Sequence, residues 1–345
     1  MNLIKKFIDI SLSVFHFRKD WTQRLLGSLA DAARSISYVE TVNPSQADTL
    51  HREIKCSDER WLKRAFELCV REALRLLHIN VVKVAIDVTE DPYWGDYGTP
   101  NTRSHVHEKS DEAWQWVNLS IVEPYFLPLM SLPYRQIDHL DDLVIELLEY
   151  LRSLLLHVKL VLFDRGFYHW NLIDFLNNRR GGHPLPYLIF VPKNEAIQRF
   201  IKQTQGTLAV FKHYGEYKKE KSTWRPETNI VILKGATKNK DGKPIDWCFA
   251  TNQQASLTLV HEYMKRWNIE TGFRIHDEAK IKTKSSHPLI RFFYHLMGFI
   301  FILIWRIKQK GLPKLSFKRT LKIIEFEFTE GGIPPPWMNW LWKTQ

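Results

Sequence analysis

Three side chains near residue 270 have the types and spacing to act on an anion. Tyr263, Arg266 and Glu270 lie three and then four residues apart in the segment YMKRWNIETGF. At 3.6 residues per turn, these offsets place all three in one stripe of a helix, and apolar Trp267 and Ile269 beside the stripe predict close packing. A solvated stripe with a Glu–Arg pair is the commoner outcome, and a face turned toward a reactive centre is the alternative. Partners elsewhere in the chain must decide between the two.

Two aspartates stand at the ends of predicted buried strands. Asp87 lies near the end of VVKVAIDV and Asp164 ends KLVLFD, and both runs are as apolar as strands buried on both faces. A carboxylate there can simply cap the next loop, but α/β sheets also place ligand chemistry at strand ends. Together with Glu270, these carboxylates would repel one another unless cations neutralised them. Magnesium takes oxygen ligands, and two such ions can clamp a phosphodiester for in-line displacement.

A mixed α/β sheet is the fold that would position these residues. The N-terminal part shows helical spacing, including ERWLKRAFELCVREALRLL, which carries Arg64, Arg71 and Arg75. The first three strands have short connections, which predicts a meander, and the later strands alternate with helices, which predicts parallel crossovers. A polar and basic stretch before residue 250 contains the short strands NIVILKG and WCFAT, which favours an insertion with its own small β element. The core strands are predicted at 81–88, 114–122, 126–132, 159–164 and 186–192.

The composition is that of a globular protein with an anionic partner. The 345 residues carry a formal net charge of +11 at pH 7, and 13% of them are aromatic. Basic and aromatic residues together favour nucleic acid as the partner, with an anionic membrane second. Three cysteines without a CxxC pair fit a reducing compartment, and we expect their side chains to be buried. The sequence has no Gly-rich phosphate loop, so we expect no nucleotide.

One apolar stretch, FFYHLMGFIFILIWR, could be mistaken for a membrane span. Its uninterrupted part is about ten residues long, short of the roughly 20 that a spanning helix needs. Arg291 and Arg306 bracket it closely. We predict a buried core helix, with a monotopic anchor as the minority alternative. The N-terminus is interpreted as an amphipathic helix rather than a signal peptide, so we expect a cytoplasmic, nucleoid-associated protein.

Three segments, taken in order, resemble the catalytic segments of insertion-sequence DDE transposases. They are IDVTEDPYWGD (86–96), LFDRGFY (162–168) and YMKRWNIETGFR (263–274). The resemblance is to the group with a Tyr-x2-Arg-x3-Glu-x6-Lys signature and covers roughly residues 80–305. The strand order is similar to the RNase H-like core of that family, including a β-rich insertion before the helix that bears the glutamate.

The resemblance implies a role for each matched residue. Asp87, Asp164 and Glu270 would be the catalytic metal ligands, and Tyr263 and Arg266 would contact DNA phosphate near the cleaved bond. The implied cofactor is a pair of Mg²⁺ ions, for which Mn²⁺ can substitute. The implied partner is double-stranded DNA, both element ends and target, bound by a homodimer.

The chain departs from the signature at its last position. The signature lysine would stand at residue 277, where this chain has Asp277. Lys280 follows three residues later, nearly one helical turn away, and is the candidate DNA-binding replacement.

The sequence therefore predicts a DNA transposase that binds the ends of its element, cleaves DNA by two-metal-ion catalysis and joins the 3′-OH to target DNA. The alternatives are an RNase H-like nuclease without strand transfer and a catalytically silent DNA-binding relative. The fold predicted is an RNase H-like mixed-sheet core with a β-rich insertion and an N-terminal helical region. The predicted divisions are a helical DNA-end-binding region (1–78), the first part of the catalytic core (79–193), the basic β-rich insertion (194–250), the last part of the core (251–307) and a basic C-terminal tail (308–345).

Overall fold

The computed structural model describes most of the chain. It covers residues 27–34, 38–42, 44–96, 98–99, 101–104, 112–177, 183–219 and 222–329. The predicted N-terminal amphipathic helix and the end of the basic tail lie outside these residues.

The α-helices follow a short helical stretch at residues 27–34. They are α1 (Val39–Val42), α2 (Pro44–Lys55), α3 (Glu59–Leu77), α4 (Leu140–Ser153), α5 (Trp170–Leu176), α6 (Glu195–Gln203), α7 (Leu259–Met264), α8 (Trp267–Glu278), α9 (Pro288–Gly311) and α10 (Phe317–Thr329). Local sequence explains the ends of α3: the Asp58 side chain accepts a hydrogen bond from the Trp61 amide at its start, and His78 adopts a left-handed conformation with φ 55° at its end.

The strands include every strand predicted for the core. They are β1 (Val81–Tyr93), β2 (Arg103–Ser104), β3 (Glu112–Glu123), β4 (Leu127–Pro133), β5 (His157–Phe163), β6 (Tyr187–Phe190), β7 (Leu208–Tyr214), β8 (Tyr217–Lys219), β9 (Ser222–Trp224), β10 (Glu227–Lys238) and β11 (Pro244–Thr251). The sequence does not predict β7, β8 or β9. Strands β8 and β9 are three residues long and mostly polar, and β7 (LAVFKHY) turns polar after its first four residues and has no fully buried side chain.

Among the described residues, nine strands form one mixed sheet in the order β2-β3-β1-β5-β6-β11-β10-β7, with β4 also paired to β3. The meander is confirmed, since β3 is antiparallel to both β1 and β4. The crossovers are confirmed too, since β5 is parallel to both β1 and β6. The parallel strands therefore end at one edge of the sheet, where ligands of α/β folds commonly bind.

The expectation that the insertion has its own small β element is wrong for most of its strands. Strand β11 pairs with β6, and β10 and β7 follow, so the insertion extends the main sheet. Only the β8–β9 hairpin forms a separate two-stranded sheet, with the rings of Tyr217 and Trp224 stacked at 6.5 Å. The hydrogen bonds between β6 and β11 join the insertion to the core sheet, and the composition of the insertion does not reveal this pairing.

Helix α9 is the core helix predicted from its apolar sequence. It contacts α2, α3, α8 and β4, and nearly all of its side chains from Ile290 to Ile307 are buried. Within the described residues it is the one helix long and apolar enough to cross a membrane, and 83% of its most apolar window lies inside the protein. A basic C-terminal tail was predicted after it, but α10 follows and buries Phe317, Leu321 and Ile324 against the core.

The expected burial of the cysteines is partly wrong. Cys69 and Cys248 are buried in the core, whereas Cys56 is exposed just after α2.

Candidate active site

The two predicted aspartates lie side by side, just past the point where the parallel pairing of β1 with β5 ends. In the pairing of β1 with β5, Ile86 is opposite Phe163, so the next residue of each chain segment is an aspartate. Asp87 is still within β1, whereas Asp164 follows the last residue of β5. The buried apolar runs before both residues fix the strands in the core and leave the two carboxylates just beyond the last parallel pair.

Each aspartate also makes a local backbone contact. Asp87 accepts a hydrogen bond from the Val88 amide at 2.9 Å. Asp164 accepts one from the Arg165 amide at 2.7 Å and so caps the single 3₁₀ turn Arg165–Phe167. The capping role considered as the simpler alternative is therefore real for Asp164, and it orients one carboxylate oxygen while leaving the other available.

The helix that carries the stripe is interrupted, which corrects the expectation of one continuous helix. Helix α7 ends at Met264 and α8 begins at Trp267, with Lys265 and Arg266 between them. Both intervening residues keep right-handed helical dihedral angles, and the amides of Arg266 and Ile269 bond carbonyls three residues back. Because the backbone stays helical and only forms one tighter turn, Tyr263, Arg266 and Glu270 still share one face.

Arg266 is the centre of the site. Its Nη1 lies 2.7 Å from Asp87 Oδ2, and its Nη2 lies 2.7 Å from Glu270 Oε1 and 3.9 Å from Asp164 Oδ2. One guanidinium thus links carboxylates from β1, from the end of β5 and from α8. We call Asp87, Asp164 and Glu270 the carboxylate triad.

Tyr263 joins the site through its hydroxyl. The hydroxyl donates to Asp164 Oδ1 at 3.2 Å. The ring packs among Phe190, Trp247 and Phe249, with centroids 5.2 to 5.8 Å away. These aromatic contacts fix the position of the hydroxyl against the triad.

Burial rules out a solvated stripe for its inner members. Tyr263 is 3% exposed and Arg266 is 6% exposed, so this face is turned toward the sheet. The side chain of Glu270, at 54%, remains open to solvent. Ile269 is buried as expected. The expectation that Trp267 packs closely is wrong, because its side chain is exposed. Its position beside the stripe did not reveal which way its side chain faces.

The electrostatics of the site reflect burial and crowding of like charges. Burial raises the pKa of Asp87 to about 6, Arg266 opposes that shift, and the other two triad carboxylates add to it. Burial also raises the pKa of the Tyr263 hydroxyl, which stays a hydrogen-bond donor at neutral pH. The carboxylate that sits deepest is therefore the one whose charge is least favourable without a further cation.

Lys280 does not approach these contacts. Its Nζ lies 2.5 Å from Asp91 Oδ1, on β1 four residues beyond Asp87. At a rise of about 3.3 Å per residue, Asp91 is about 13 Å along the strand from Asp87, on the same face. The structure therefore pairs Lys280 with an aspartate outside the triad, and its role toward DNA stays a prediction.

A second charged cluster, which sequence reasoning missed, adjoins the site. Lys83 Nζ lies 2.5 Å from Glu262 and 3.2 Å from Glu123, and Lys265 forms ion pairs with the same two glutamates. We call these four residues the balanced cluster. Glu262 and Lys265 are an i,i+3 pair, but Lys83 and Glu123 come from β1 and the end of β3, so no spacing along the chain points to the cluster as a whole.

The arginines of α3 are engaged within their own helix. Arg64 and Arg71 both form ion pairs with Glu67, and Arg75 pairs with Glu72. Their side chains nevertheless remain substantially exposed, so contacts to DNA ends stay a prediction for this helix.

The donors of the triad suit a divalent cation. Among the residues that the structure describes, no three His, Cys, Asp or Glu side chains are grouped to hold a metal ion, and the triad is instead spread around Arg266. Three carboxylates against one guanidinium leave two negative charges in excess. Hard oxygen donors with excess negative charge are what Mg²⁺ and Mn²⁺ bind, so the residues fit such an ion.

Comparisons with known proteins give a family match and a structural match. Residues 137–305 match the family model described as Transposase DDE domain. The fold is similar to that of the piggyBac transposase in its synaptic complex with hairpin DNA, solved by cryo-electron microscopy. The TM-score is 0.60 with 12% identity, over 99% of this chain and 81% of that one. A comparison with curated proteins gives no match.

These findings confirm the predicted fold class, an α/β mixed sheet with an RNase H-like core. The family match covers just under half of the chain, 169 of its 345 residues. It begins at residue 137 and so includes Asp164, Arg266 and Glu270 but not Asp87. The assignment of Asp87 rests on the strand pairing and on its contact with Arg266.

Proposed function

We propose that this chain is a transposase that binds the ends of its own element, cleaves DNA with two Mg²⁺ ions and joins the freed 3′-OH to target DNA. The observation that carries the proposal is the meeting of three carboxylates from separate elements around Arg266, with Tyr263 beside them. A structural ion pair needs only one carboxylate per guanidinium, so the excess points to cation chemistry.

In this proposal Asp87, Asp164 and Glu270 hold the metal ions. Bound there, the ions supply Lewis-acid stabilisation of the phosphodiester and lower the pKa of an attacking water or hydroxyl. Arg266 offers a planar fork that matches two phosphate oxygens, and the Tyr263 hydroxyl offers one further donor. These two side chains would hold the phosphate while the buried aromatic rings around Tyr263 keep water from that side.

Double-stranded DNA is the proposed partner. The similar piggyBac structure is a complex with DNA, and the present chain carries a net charge of +11. We place end contacts on α3 and on the insertion, where the β8–β9 hairpin carries lysines beside Tyr217 and Trp224. Because such contacts neutralise phosphates, binding should weaken steeply with added salt. We further propose that the protein belongs to the group with the Tyr-x2-Arg-x3-Glu-x6-Lys signature. It would bind two element ends as a homodimer.

The test uses the purified full chain, duplexes from its genomic flanks and Mg²⁺, with strand products resolved on denaturing gels. A transposase gives cut ends and then longer products joined to target DNA, whereas a nuclease of the same fold gives only cuts. Asp87→Ala should abolish both products while end binding persists. Wild-type protein that cuts none of the flanking duplexes in Mg²⁺ or Mn²⁺ would contradict the proposal.

A further inference from the structure

Arg266 cannot keep all of its contacts with the triad carboxylates if a metal ion binds them. Its two terminal nitrogens contact Asp87 and Glu270 at 2.7 Å, with Asp164 at 3.9 Å. Its Nε is buried and has no hydrogen-bond partner among the described residues. The tip of the guanidinium is thus held by the triad carboxylates, and its central carbon lies 5.7 Å from the centre of the Tyr263 ring.

A divalent cation and this guanidinium compete for the same oxygens. A carboxylate oxygen that donates to a metal ion at about 2.1 Å would place that ion within a few ångströms of the guanidinium bound to the same group. Two cations that close repel each other strongly in a partly buried site. Arg266 must therefore leave at least part of the triad when a metal ion arrives.

The backbone beside Arg266 confines that movement to the side chain. Lys265 is tied to Glu123 and Glu262 in the balanced cluster, and the Asn268 side chain donates to the Val122 carbonyl at 3.0 Å. Both anchors attach the α7–α8 junction to the end of β3. Neither anchor uses the Arg266 side chain, so a change in its rotamer would leave both in place.

We propose that Arg266 is the resident counter-ion of the carboxylate triad, which it yields to divalent cations by transferring its guanidinium to DNA phosphate. This inference rests on the proposed function and adds a coupling between its two ligands. DNA offers the displaced guanidinium a new anion, so DNA should tighten metal binding, and metal should tighten DNA binding by the same factor. The site then becomes fully loaded only when both ligands are present.

The test measures Mn²⁺ binding to the full chain by electron paramagnetic resonance of the free ion, so no cleavage is needed. Arg266→Gln removes the counter-ion and should bind Mn²⁺ about tenfold more tightly than wild type without DNA, within the usual range of coupling. A flanking duplex should raise the wild-type affinity by a similar factor and leave that of Arg266→Gln nearly unchanged. Arg274→Gln is the matched control, since Arg274 is exposed one turn beyond Glu270 and donates only to Thr271; it should behave as wild type.

The outcomes separate the two proposals. Equal Mn²⁺ affinity of wild type and Arg266→Gln would overturn the counter-ion role while leaving the transposase proposal intact. If no variant binds Mn²⁺ with or without DNA, both fail. If Arg266→Gln binds Mn²⁺ more tightly but DNA has no effect on wild type, the counter-ion role stands and the transfer to phosphate fails. Should Arg266→Gln be unfolded without metal, the proposal requires Mn²⁺ to restore its circular dichroism, and failure to do so would overturn it.

Discussion

Lys265 and Arg266 are adjacent in the chain, yet each serves a different cluster of charges. Lys265 belongs to the balanced cluster, where two lysines meet two glutamates and the charges cancel. Arg266 belongs to the carboxylate triad, where one cation meets three anions. Both clusters attach the same helical junction to the sheet. They therefore differ in net charge rather than in location.

The pKa values of the two glutamates in the balanced cluster are lowered, whereas that of Asp87 in the triad is raised. Hydrogen bonds from Lys265 and Lys83 lower the pKa of Glu123. Burial raises that of Glu262, but the same two lysines outweigh it and lower the pKa overall. At Asp87 burial wins, and the pKa rises to about 6. A balanced cluster is complete as it stands and stabilises the fold, whereas a cluster with excess anions is stabilised further by an added cation.

The largest contrast should appear in the rate of DNA cleavage. Asp164→Ala removes a triad carboxylate, and we expect a loss of about a thousandfold or more, because a bound metal supplies several kcal/mol of transition-state stabilisation. Glu262→Gln removes a carboxylate of the balanced cluster and should keep the rate within about tenfold. Single-turnover cleavage of an end duplex measures both. Comparable losses in the two variants would mean that the clusters do not differ in function.

The next contrast concerns the free energy of unfolding without metal. Arg266→Ala leaves the buried Asp87 unpaired, and we expect a loss of about 3 kcal/mol, near the lower limit for a broken buried pair because Glu270 is half exposed. Lys265→Ala removes a more exposed cation and should cost about 1 kcal/mol. Urea unfolding in the presence of a chelator measures both values. A larger loss for Lys265→Ala would reverse the ranking of the clusters.

The balanced cluster should also contribute to the loss of unfolding free energy at low pH. The folded-state pKa values of Glu123 and Glu262 lie below the unperturbed 4.5, so their stabilisation is present above about pH 4.5 and is lost as pH falls through the lowered values. The double variant Glu123→Gln/Glu262→Gln should lose about 2 kcal/mol at pH 7 relative to wild type. That difference should shrink toward zero near pH 3, as seen in urea unfolding at a series of pH values. A difference independent of pH would assign the effect to packing.

Much of the triad could be predicted from the sequence because each member carries a local signal. Asp87 and Asp164 end apolar strand patterns, and Glu270 lies one helical turn from Arg266. Parallel pairing then brings both strand ends together, as general rules for such sheets require. The part that could not be predicted depends on contacts between distant segments. The Lys280–Asp91 pair and the balanced cluster are examples, since only the packed fold brings their members together.

Local irregularities escaped prediction for a different reason. The break between α7 and α8 leaves Lys265 and Arg266 with helical dihedral angles, so the spacing of side chains hardly differs from that of an intact helix. Strand β7 is apolar only in its first four residues, none of its side chains is fully buried, and it is held by its pairing with β10. Backbone hydrogen bonds rather than the residue pattern determine both features: local bonds three residues back at the helix break, and pairing between strands for β7.

The smallest contrast separates packing from chemistry at Tyr263. Tyr263→Phe keeps the ring among its aromatic neighbours and removes only the hydroxyl that donates to Asp164 at 3.2 Å. We expect a loss of about 1 kcal/mol in unfolding free energy and cleavage about fivefold slower, because the hydroxyl orients a triad carboxylate and faces the proposed phosphate. Tyr187→Phe is the matched control: its buried hydroxyl bonds Thr228 at 2.8 Å instead of a triad carboxylate, so its stability loss should be similar with no change in cleavage. Thermal melts and single-turnover cleavage of both variants decide the matter. Cleavage by Tyr263→Phe at the wild-type rate would make Tyr263 a packing residue and leave Arg266 as the only phosphate ligand of the proposed pair.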